Sequence, residues 1–249
     1  MCTLILAWRV FDDAPIAAAA NRDEALGRPS RPPGVSDEDP RVVAPRDEEA
    51  GGTWIGYNDA GLFVAVTNRR TDIDGERSRG LLVRDALARE SASAASSFVR
   101  DELADRQYAG FNLVVADREE AALLEWDGVL RTTHFDPGVH VVVNEGYNGA
   151  ASKAEAIREA VHPDLPTDDA TGAIAPDATS ETDSAEWFER AKEVLRDHDL
   201  GACVHADGYG TRSSSLVAID AEGAGRYWFA DGTPCETDYE EVAVEGGDG

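Results

Sequence analysis

The sequence predicts an α+β fold in which two mostly antiparallel sheets stack face to face with helices on the outside. Three observations carry this expectation. Apolar runs of strand length gather at the start, middle and end of the chain, and two pairs of helix-period segments separate them. That segregation suits layered sheets flanked by helices rather than an alternating parallel fold. Neighbouring strand-length runs are joined by only a few residues, which antiparallel pairs allow and parallel pairs do not. No repeat at solenoid periods is present.

Thr3–Val10 and Pro15–Ala20 are two apolar runs separated by Phe11-Asp12-Asp13-Ala14, which reads as a hairpin. The second run delivers Asn21-Arg22-Asp23-Glu24, a polar cluster at a strand end. Residues 28–50 are rich in proline and acid, lack periodicity and read as a long surface loop. In Gly51-Gly52-Thr53-Trp54-Ile55-Gly56 the paired glycines permit a tight turn or a close backbone approach. Trp54 is placed either to floor a pocket or to anchor this loop. Leu62–Thr67 is the next strand and ends at Asn68-Arg69-Arg70.

Gly80 opens a helical pair, with Leu81, Leu82, Asp85, Ala86 and Arg89 on one partly apolar face and Ala95, Phe98, Val99 and Leu103 continuing the period. Phe111–Ala116, Ala121–Trp126 and Val129–Thr132 read as consecutive antiparallel strands, the last two joined by the tight turn Asp127-Gly128. Val139–Val143 is a further strand ending at Asn144. Helices are expected over Ser152–Val161 and Ala185–Arg196, the latter with Trp187, Phe188, Ala191 and Leu195 on one face. Gly208-Tyr209-Gly210-Thr211-Arg212 then leads into the closing strands Ser213–Ile219 and Arg226–Ala230. The whole reads as one domain over residues 1–240, carrying an acidic, loosely attached insert at 164–184 and ending in a flexible acidic tail at 241–249.

Composition limits the function classes. The 249 residues include 49 acidic against 23 basic side chains, a formal charge of −26. Such a surface repels nucleic acid and anionic membranes, so neither is expected as a partner. With 42% hydrophobic residues and five tryptophans the charge does not signal disorder. It reads as a halophilic surface, whose self-repulsion high salt screens. No apolar run reaches the ~20 residues that cross a bilayer, and no signal peptide is read, so a soluble cytoplasmic protein is expected. Cys2, Cys203 and Cys235 are too few and too scattered for a disulfide framework or a zinc site, a single Cys203–Cys235 bridge being the minor alternative. His134, His140, His162, His198 and His205 lack metal-ligand spacing, and no metal is expected.

The chemistry centres on Met1-Cys2. A cysteine is small enough for the methionine before it to be trimmed, which would leave a thiol and a free α-amine on one residue. The amine, with an unperturbed pKa of about 7.7–8, can act as base for the thiol. Packing is the plain alternative for any cysteine. Polar clusters at other strand ends, however, supply the parts that acyl transfer requires. Arg22 and Arg212 suit a thiolate or a substrate carboxylate, and Asp23 suits orientation of the amine or of the guanidinium groups. Asn144 or Asn68 suits donation to an oxyanion. Asn21, Trp54 and Thr211 complete a set of substrate-binding candidates.

Met1-Cys2-Thr3, Asn21-Arg22-Asp23-Glu24 with Arg28-Pro29, Gly51-Gly52-Thr53-Trp54-Ile55-Gly56, Thr67-Asn68, Arg79-Gly80, Gly110-Phe111-Asn112-Leu113 and Tyr209-Gly210-Thr211-Arg212 occur in one order along the chain. Together they resemble the NRDE family, also called the transport and Golgi organisation protein 2 family, over essentially the whole sequence. The resemblance implies a four-layer αββα sandwich of the N-terminal nucleophile hydrolase type with Cys2 as nucleophile. More distantly, the chain is similar to the choloylglycine and penicillin V hydrolases, which cleave linear amides. Carried over by motif, their site residues become Arg22, Asp23, Asn144 and Arg212. The strand end Val143-Asn144-Glu145-Gly146-Tyr147 departs from the usual Ser-Asn-Ala of the family, which keeps Asn68 beside Asn144 as an oxyanion donor.

Two functions follow. The first is a hydrolase of a linear amide or related acyl bond, needing no cofactor and acting on a small-molecule substrate. The second is a binding or carrier protein for haem or for a lipid or acyl-CoA-related ligand on the same fold. The sequence fixes neither the substrate nor the oligomeric state.

Overall fold

The structure is a computed structural model and describes residues 2–37, 39–162 and 183–244. Strands β1 (Thr3–Trp8) and β2 (Ile16–Ala25) form the expected hairpin. They are followed by β3 (Ser30–Val35), β4 (Val42–Asp47), β5 (Ile55–Asn58) and β6 (Phe63–Asn68). Helices α1 (Arg79–Leu87) and α2 (Ala92–Asp105) lead to β7 (Phe111–Ala116), β8 (Ala121–Trp126), β9 (Leu130–His134), β10 (Gly138–Val143) and β11 (Gly146–Tyr147). Helices α3 (Ser152–Val161) and α4 (Ser184–Arg196) precede β12 (His205–Ala206), β13 (Tyr209–Ile219), β14 (Gly225–Ala230) and β15 (Glu240–Glu241).

The strands build two antiparallel sheets. One runs β11-β10-β1-β2-β13-β14-β15, with β12 paired to β13, and the other runs β3 to β9 in chain order. Side-chain alternation along each strand sorts the apolar residues into three layers. Leu4, Leu6, Ala18, Val142 and Val217 meet Ile55, Phe63, Val114 and Leu123 between the sheets. Ile5, Ala17, Ala19 and Val143 face α3 and α4, where Ile157, Trp187 and Leu195 cover them. Val64, Leu113 and Leu124 face α1 and α2 on the other side. The architecture is therefore the four-layer αββα sandwich.

Several segments depart from the sequence reading. β2 runs on through Ala25 and β13 begins at Tyr209, so Asn21-Arg22-Asp23-Glu24 and Tyr209-Gly210-Thr211-Arg212 lie within paired strands rather than beyond their ends, and Ile55–Asn58 forms β5. Residues 28–50, expected as loop, contain β3 and β4. Pro32 and Pro33 conceal a strand there because β3 lies at the edge of its sheet, where a missing N–H is tolerated, and the pairing with β4 shifts between Arg31 and Gly34. The tail expected from residue 241 is held at its start. Glu241 pairs with Trp228, Arg226 bonds the Glu241 carboxylate at 3.0 Å, and the Val242 N–H donates to Tyr227 O at 2.8 Å. Of the expected insert at 164–184, only Asp183 and Ser184 lie among the described residues. They cap and open α4, the Asp183 carboxylate accepting the Glu186 N–H at 3.0 Å.

The paired glycines have a steric cause. A Cβ on Gly52 would stand 2.2 Å from Gly80 C and 2.5 Å from Leu81 N, so only glycine lets this loop cross the start of α1. The Thr53 N–H donates to Gly80 O at 3.0 Å across that crossing, which sets Trp54 at the edge of the inter-sheet space.

Candidate active site

Register places the site residues in one row. Thr3 pairs with Val143 on one side and Asn21 on the other. One step toward the chain start, Cys2 is level with Asn144 and Arg22, and Arg22 is itself opposite Ser213. Alternation then decides the faces. Leu4 and Leu6 of β1, Ala18 and Ala20 of β2 and Val142 of β10 point between the sheets, so Cys2, Arg22 and Asn144 share that face. Asn21 and Asp23 belong to the opposite face, toward α4.

Arg22 is buried, 5% exposed, with its guanidinium 4.1 Å from the Trp54 ring centroid. Trp54 is thus a platform for a cation, an arrangement that desolvation strengthens. The nearest carboxylates are Glu24 at 3.9 Å and Asp47 at 4.0 Å, too far for hydrogen bonds. Asp47 is instead committed to Arg28 at 2.8 Å. Arg22 Nη1 consequently stays buried with no hydrogen-bond partner among the described residues. Burial pushes Arg22 down from its usual range, while Glu24, Asp47 and Cys2 oppose the shift.

Cys2 is half-buried, with its Sγ 3.8 Å from the backbone carbonyl oxygen of Asp23. Tyr209 Oη donates to the same oxygen at 3.0 Å, which brings that phenol to the thiol. Burial raises the Cys2 pKa, the Asp23 carboxylate raises it further, and Arg22 pulls the other way. The net effect disfavours the thiolate. The Asp23 carboxylate accepts the Thr211 hydroxyl at 2.6 Å. Burial raises its pKa too, against the Thr211 bond and the nearby Lys153.

The other expected residues fall into distinct roles. Asn144 Oδ1 is buried and unpartnered, and the Asn144 carbonyl lies 3.5 Å from Asn112 Nδ2. Asn112 Nδ2 also donates to Val143 O at 2.8 Å, fastening this strand end to the facing sheet. Asn68 shares its strand face with Val64 and Val66, which pack toward α1 and α2, so alternation turns it away from the inter-sheet cleft. Thr67, its neighbour, faces the cleft and donates to Val143 O at 3.3 Å. Asn21 spends its amide donor on Leu195 O and Ala202 O, both at 2.8 Å, and acts as a clamp on the end of α4. Arg212 sits in the bulge where the β2–β13 register shifts, and its guanidinium donates to the carbonyls of Leu26 and Arg28. It braces the turn after β2.

Sequence reasoning missed two cations. Lys153, one of only two lysines in the chain, has a buried Nζ with no hydrogen-bond partner among the described residues. Burial lowers its pKa, opposed by Asp23, Glu145 and Cys2. Its signal was the rarity of lysine in an arginine-rich chain. Arg79 donates to Gly110 O at 2.7 Å, and Cys2 opposes the burial that lowers its pKa. The motif Arg79-Gly80 carried that signal. The remaining cysteines, read from the sequence as too scattered for a zinc site, and two of the histidines, read as lacking metal-ligand spacing, come together in the fold. Ligand atoms of His198, Cys203, His205 and Cys235 all lie within 4.8 Å of one another.

The four-layer αββα sandwich is of the N-terminal nucleophile hydrolase type, and Cys2 stands just before its first strand. The chain aligns with penicillin V acylase from Agrobacterium tumefaciens at a TM-score of 0.58 and 16% identity, covering 98% of this chain and 86% of that one. It aligns with the Caenorhabditis elegans ortholog of N-acylethanolamine-hydrolyzing acid amidase at 0.55 and 12% identity, covering 90% and 94%. Within that fold, residues 1–231 match the family Transport and Golgi organisation 2, and the chain belongs to it. The Transport and Golgi organization protein 2 homolog of Homo sapiens is 26% identical over 249 residues, 86% of this chain and 87% of that protein. The Bos taurus homolog is 27% identical over 248 residues, with the same shares.

Proposed function

We propose that the chain is an N-terminal-cysteine hydrolase of a linear amide or related acyl bond on a small-molecule substrate. The observation that carries this reading is the row Asn144–Cys2–Arg22 on one face of the sheet, with a buried guanidinium N–H left unpartnered beside the thiol. Removal of Met1 leaves the α-amine on Cys2. The amine takes the thiol proton, directly or through a water, as Sγ attacks the carbonyl carbon. The carbonyl π pair moves to oxygen, where the Asn144 side-chain amide donates to the oxyanion. Collapse breaks the C–N bond, the ammonium returns the proton to the leaving nitrogen, and the acyl group remains as a thioester on Cys2. Water, deprotonated by the same amine, then releases the acid and regenerates the thiol.

Arg22, held over Trp54, offers its spare N–H to an anionic or carbonyl group of the acyl portion. The Asp23 carboxylate orients the α-amine. Lys153 and Arg79 add positive charge around a thiol that burial otherwise keeps neutral. The names of the structural neighbours, an acylase and an acid amidase, agree with an acyl-transfer reading. Among the described residues no helix is long and apolar enough to cross a membrane.

The test is intact-mass analysis of the purified protein after incubation with a panel of N-acyl amides and activated acyl esters. The expected result is a chain lacking Met1, with one acyl adduct on Cys2 that turns over and is absent from Cys2→Ala. A mature chain that retains Met1 ends the terminal-amine mechanism. Equal turnover by Cys2→Ala removes the cysteine from the chemistry.

A further inference from the structure

A second thiol cluster lies behind the cleft and takes no part in the chemistry above. After α4, the Asp197 carbonyl accepts the N–H groups of Ala202 at 3.1 Å and Cys203 at 3.0 Å, and the Asp197 carboxylate accepts the Leu200 N–H at 2.8 Å. Gly201, at φ 65°, turns the chain in the left-handed region. This compact turn brings His198 back to Cys203. β12 then sets His205 on a short hairpin with β13. The turn after β14, closed by the Glu236 N–H on Thr233 O at 3.0 Å, supplies Cys235. Arg196 Nε donates to Pro234 O at 3.0 Å, tying the end of α4 to the residue before that cysteine.

We propose that His198, Cys203, His205 and Cys235 form a structural metal site that takes a tetrahedral divalent cation of the zinc class. The two sulfur atoms are 3.5 Å apart, and His205 Nε2 lies 3.6 Å from Cys203 Sγ and 3.2 Å from Cys235 Sγ. Metal–sulfur bonds of about 2.3 Å and metal–nitrogen bonds of about 2.0–2.1 Å give a tetrahedron with edges of roughly 3.4–3.8 Å. The triangle of two sulfurs and one nitrogen is already close to one face of that figure. His198, whose ring centroid is 5.0 Å from that of His205, supplies the fourth corner through a small ring movement. Both cysteines are free thiols.

Donor chemistry selects the ion. Two thiolates and two imidazoles suit zinc and disfavour magnesium or calcium, which take oxygen ligands. With all four positions filled by protein the cation has no open site, so its role is structural. Binding forms two metal–sulfur and two metal–nitrogen bonds, releases the two thiol protons to solvent and changes no oxidation state.

The location gives that role a purpose. Val204, between two of the ligands, donates its N–H to Thr211 Oγ1 at 2.9 Å and accepts the Thr211 N–H at 2.8 Å. Thr211 in turn holds the Asp23 carboxylate. Ala202, next to Cys203, accepts from Asn21. The cation would pin residues 197–206 and the 233–236 turn together, fixing from behind the groups that position Asp23.

The experiment is metal analysis of the full chain purified under reducing conditions from zinc-supplemented medium. About one zinc per chain is expected, and cobalt(II) exchanged into the protein should show intense tetrahedral d–d bands with thiolate charge transfer. Cys235→Ser and His198→Gln, at partly exposed and exposed positions, should each retain less than about a tenth of the zinc at the same free-metal level while Cys2→Ala retains all of it. A protein that carries no stoichiometric metal and binds neither zinc nor cobalt(II) overturns the proposal. So does a chain whose mass, after alkylation, shows Cys203 bonded to Cys235. No readout here depends on hydrolysis, so the metal site and the hydrolase reading fail separately.

Discussion

The chain carries thiols in two regions that share strands β2 and β13 and are built on opposite principles. Around Cys2 there is one sulfur among cations with spare donors: Arg22 Nη1 and Lys153 Nζ are buried and lack hydrogen-bond partners among the described residues. Around Cys203 and Cys235 two sulfurs meet two imidazoles, and the four can satisfy one another through a single ion. Unsatisfied buried donors cost stability, and a fold keeps them where something that comes and goes completes them. A closed set of four ligands is completed once. The difference between the regions is therefore one of turnover against permanence, with Thr211 as the shared element between them.

The largest effect is expected from substituting the two sets of thiols separately. Cys2→Ala should abolish acyl transfer, a loss of roughly 10⁴-fold or more for a missing nucleophile, and leave metal content unchanged. Cys235→Ser should release the metal and leave Cys2 still open to acylation, at a rate lowered only through the position of Asp23. Turnover and metal content measured on both variants decide this. If either substitution abolishes both properties, the two regions are one site.

A smaller effect separates the charges at Cys2. The Asp23 carboxylate raises the thiol pKa and Arg22 lowers it. Asp23→Asn should therefore shift the pH profile of Cys2 alkylation to lower pH, because it removes a like charge that disfavours thiolate. Arg22→Leu should shift it to higher pH, because the supporting cation is gone, and should slow acylation about 10²-fold. Iodoacetamide labelling of Cys2, followed by peptide mass across pH 6–10, reads both shifts. Shifts in the same direction would mean that the two residues act on Cys2 through packing alone.

Asn21 tests the structural side. Asn21→Ala strands the carbonyls of Leu195 and Ala202 and should cost about 2–4 kcal/mol in a urea titration. It should leave the alkylation profile of Cys2 in place, since the Asn21 amide faces α4. A shifted profile at unchanged stability would return Asn21 to the cleft.

The sequence carried the helices and strands β1, β6, β7, β8, β9, β10 and β14 within a residue or two, because apolar periodicity reports burial directly. α2 kept its expected face, and β7 and β8 their expected bounds. β3 stayed hidden because an edge strand bears prolines that a central strand rejects. Cys2, Arg22, Asp23 and Asn144 stand out in the sequence as polar or thiol residues bordering apolar runs, and Trp54 as the aromatic that follows a glycine pair. Asn21 and Asn68 were misplaced by one residue of strand alternation, which turns a side chain to the other face and which a tetrapeptide does not display. The cluster at Cys203 was illegible because its ligands come from the turn after α4, from β12 and from the turn after β14. His198, Cys203 and His205 follow no familiar spacing, and Cys235 arrives only after the β13–β14 hairpin.

The smallest effect concerns salt and divides surface from cleft. The net charge of −26 is spread over exposed carboxylates whose mutual repulsion added salt screens, since the Debye length falls from about 10 Å at 0.1 M to about 3 Å at 1 M. Melting temperature should accordingly rise by several degrees between dilute and molar KCl, a gain on the order of 1 kcal/mol. The Cys2 charges are buried, and screening reaches them far less. The pH profile of Cys2 alkylation should then move by much less than the opposing shifts of Asp23→Asn and Arg22→Leu. Scanning calorimetry and alkylation on one salt series decide the point. A profile that moves with salt while the melting temperature stays fixed would place the cleft, and not the surface, in contact with bulk ions, and would remove the burial on which the pKa of Cys2 rests.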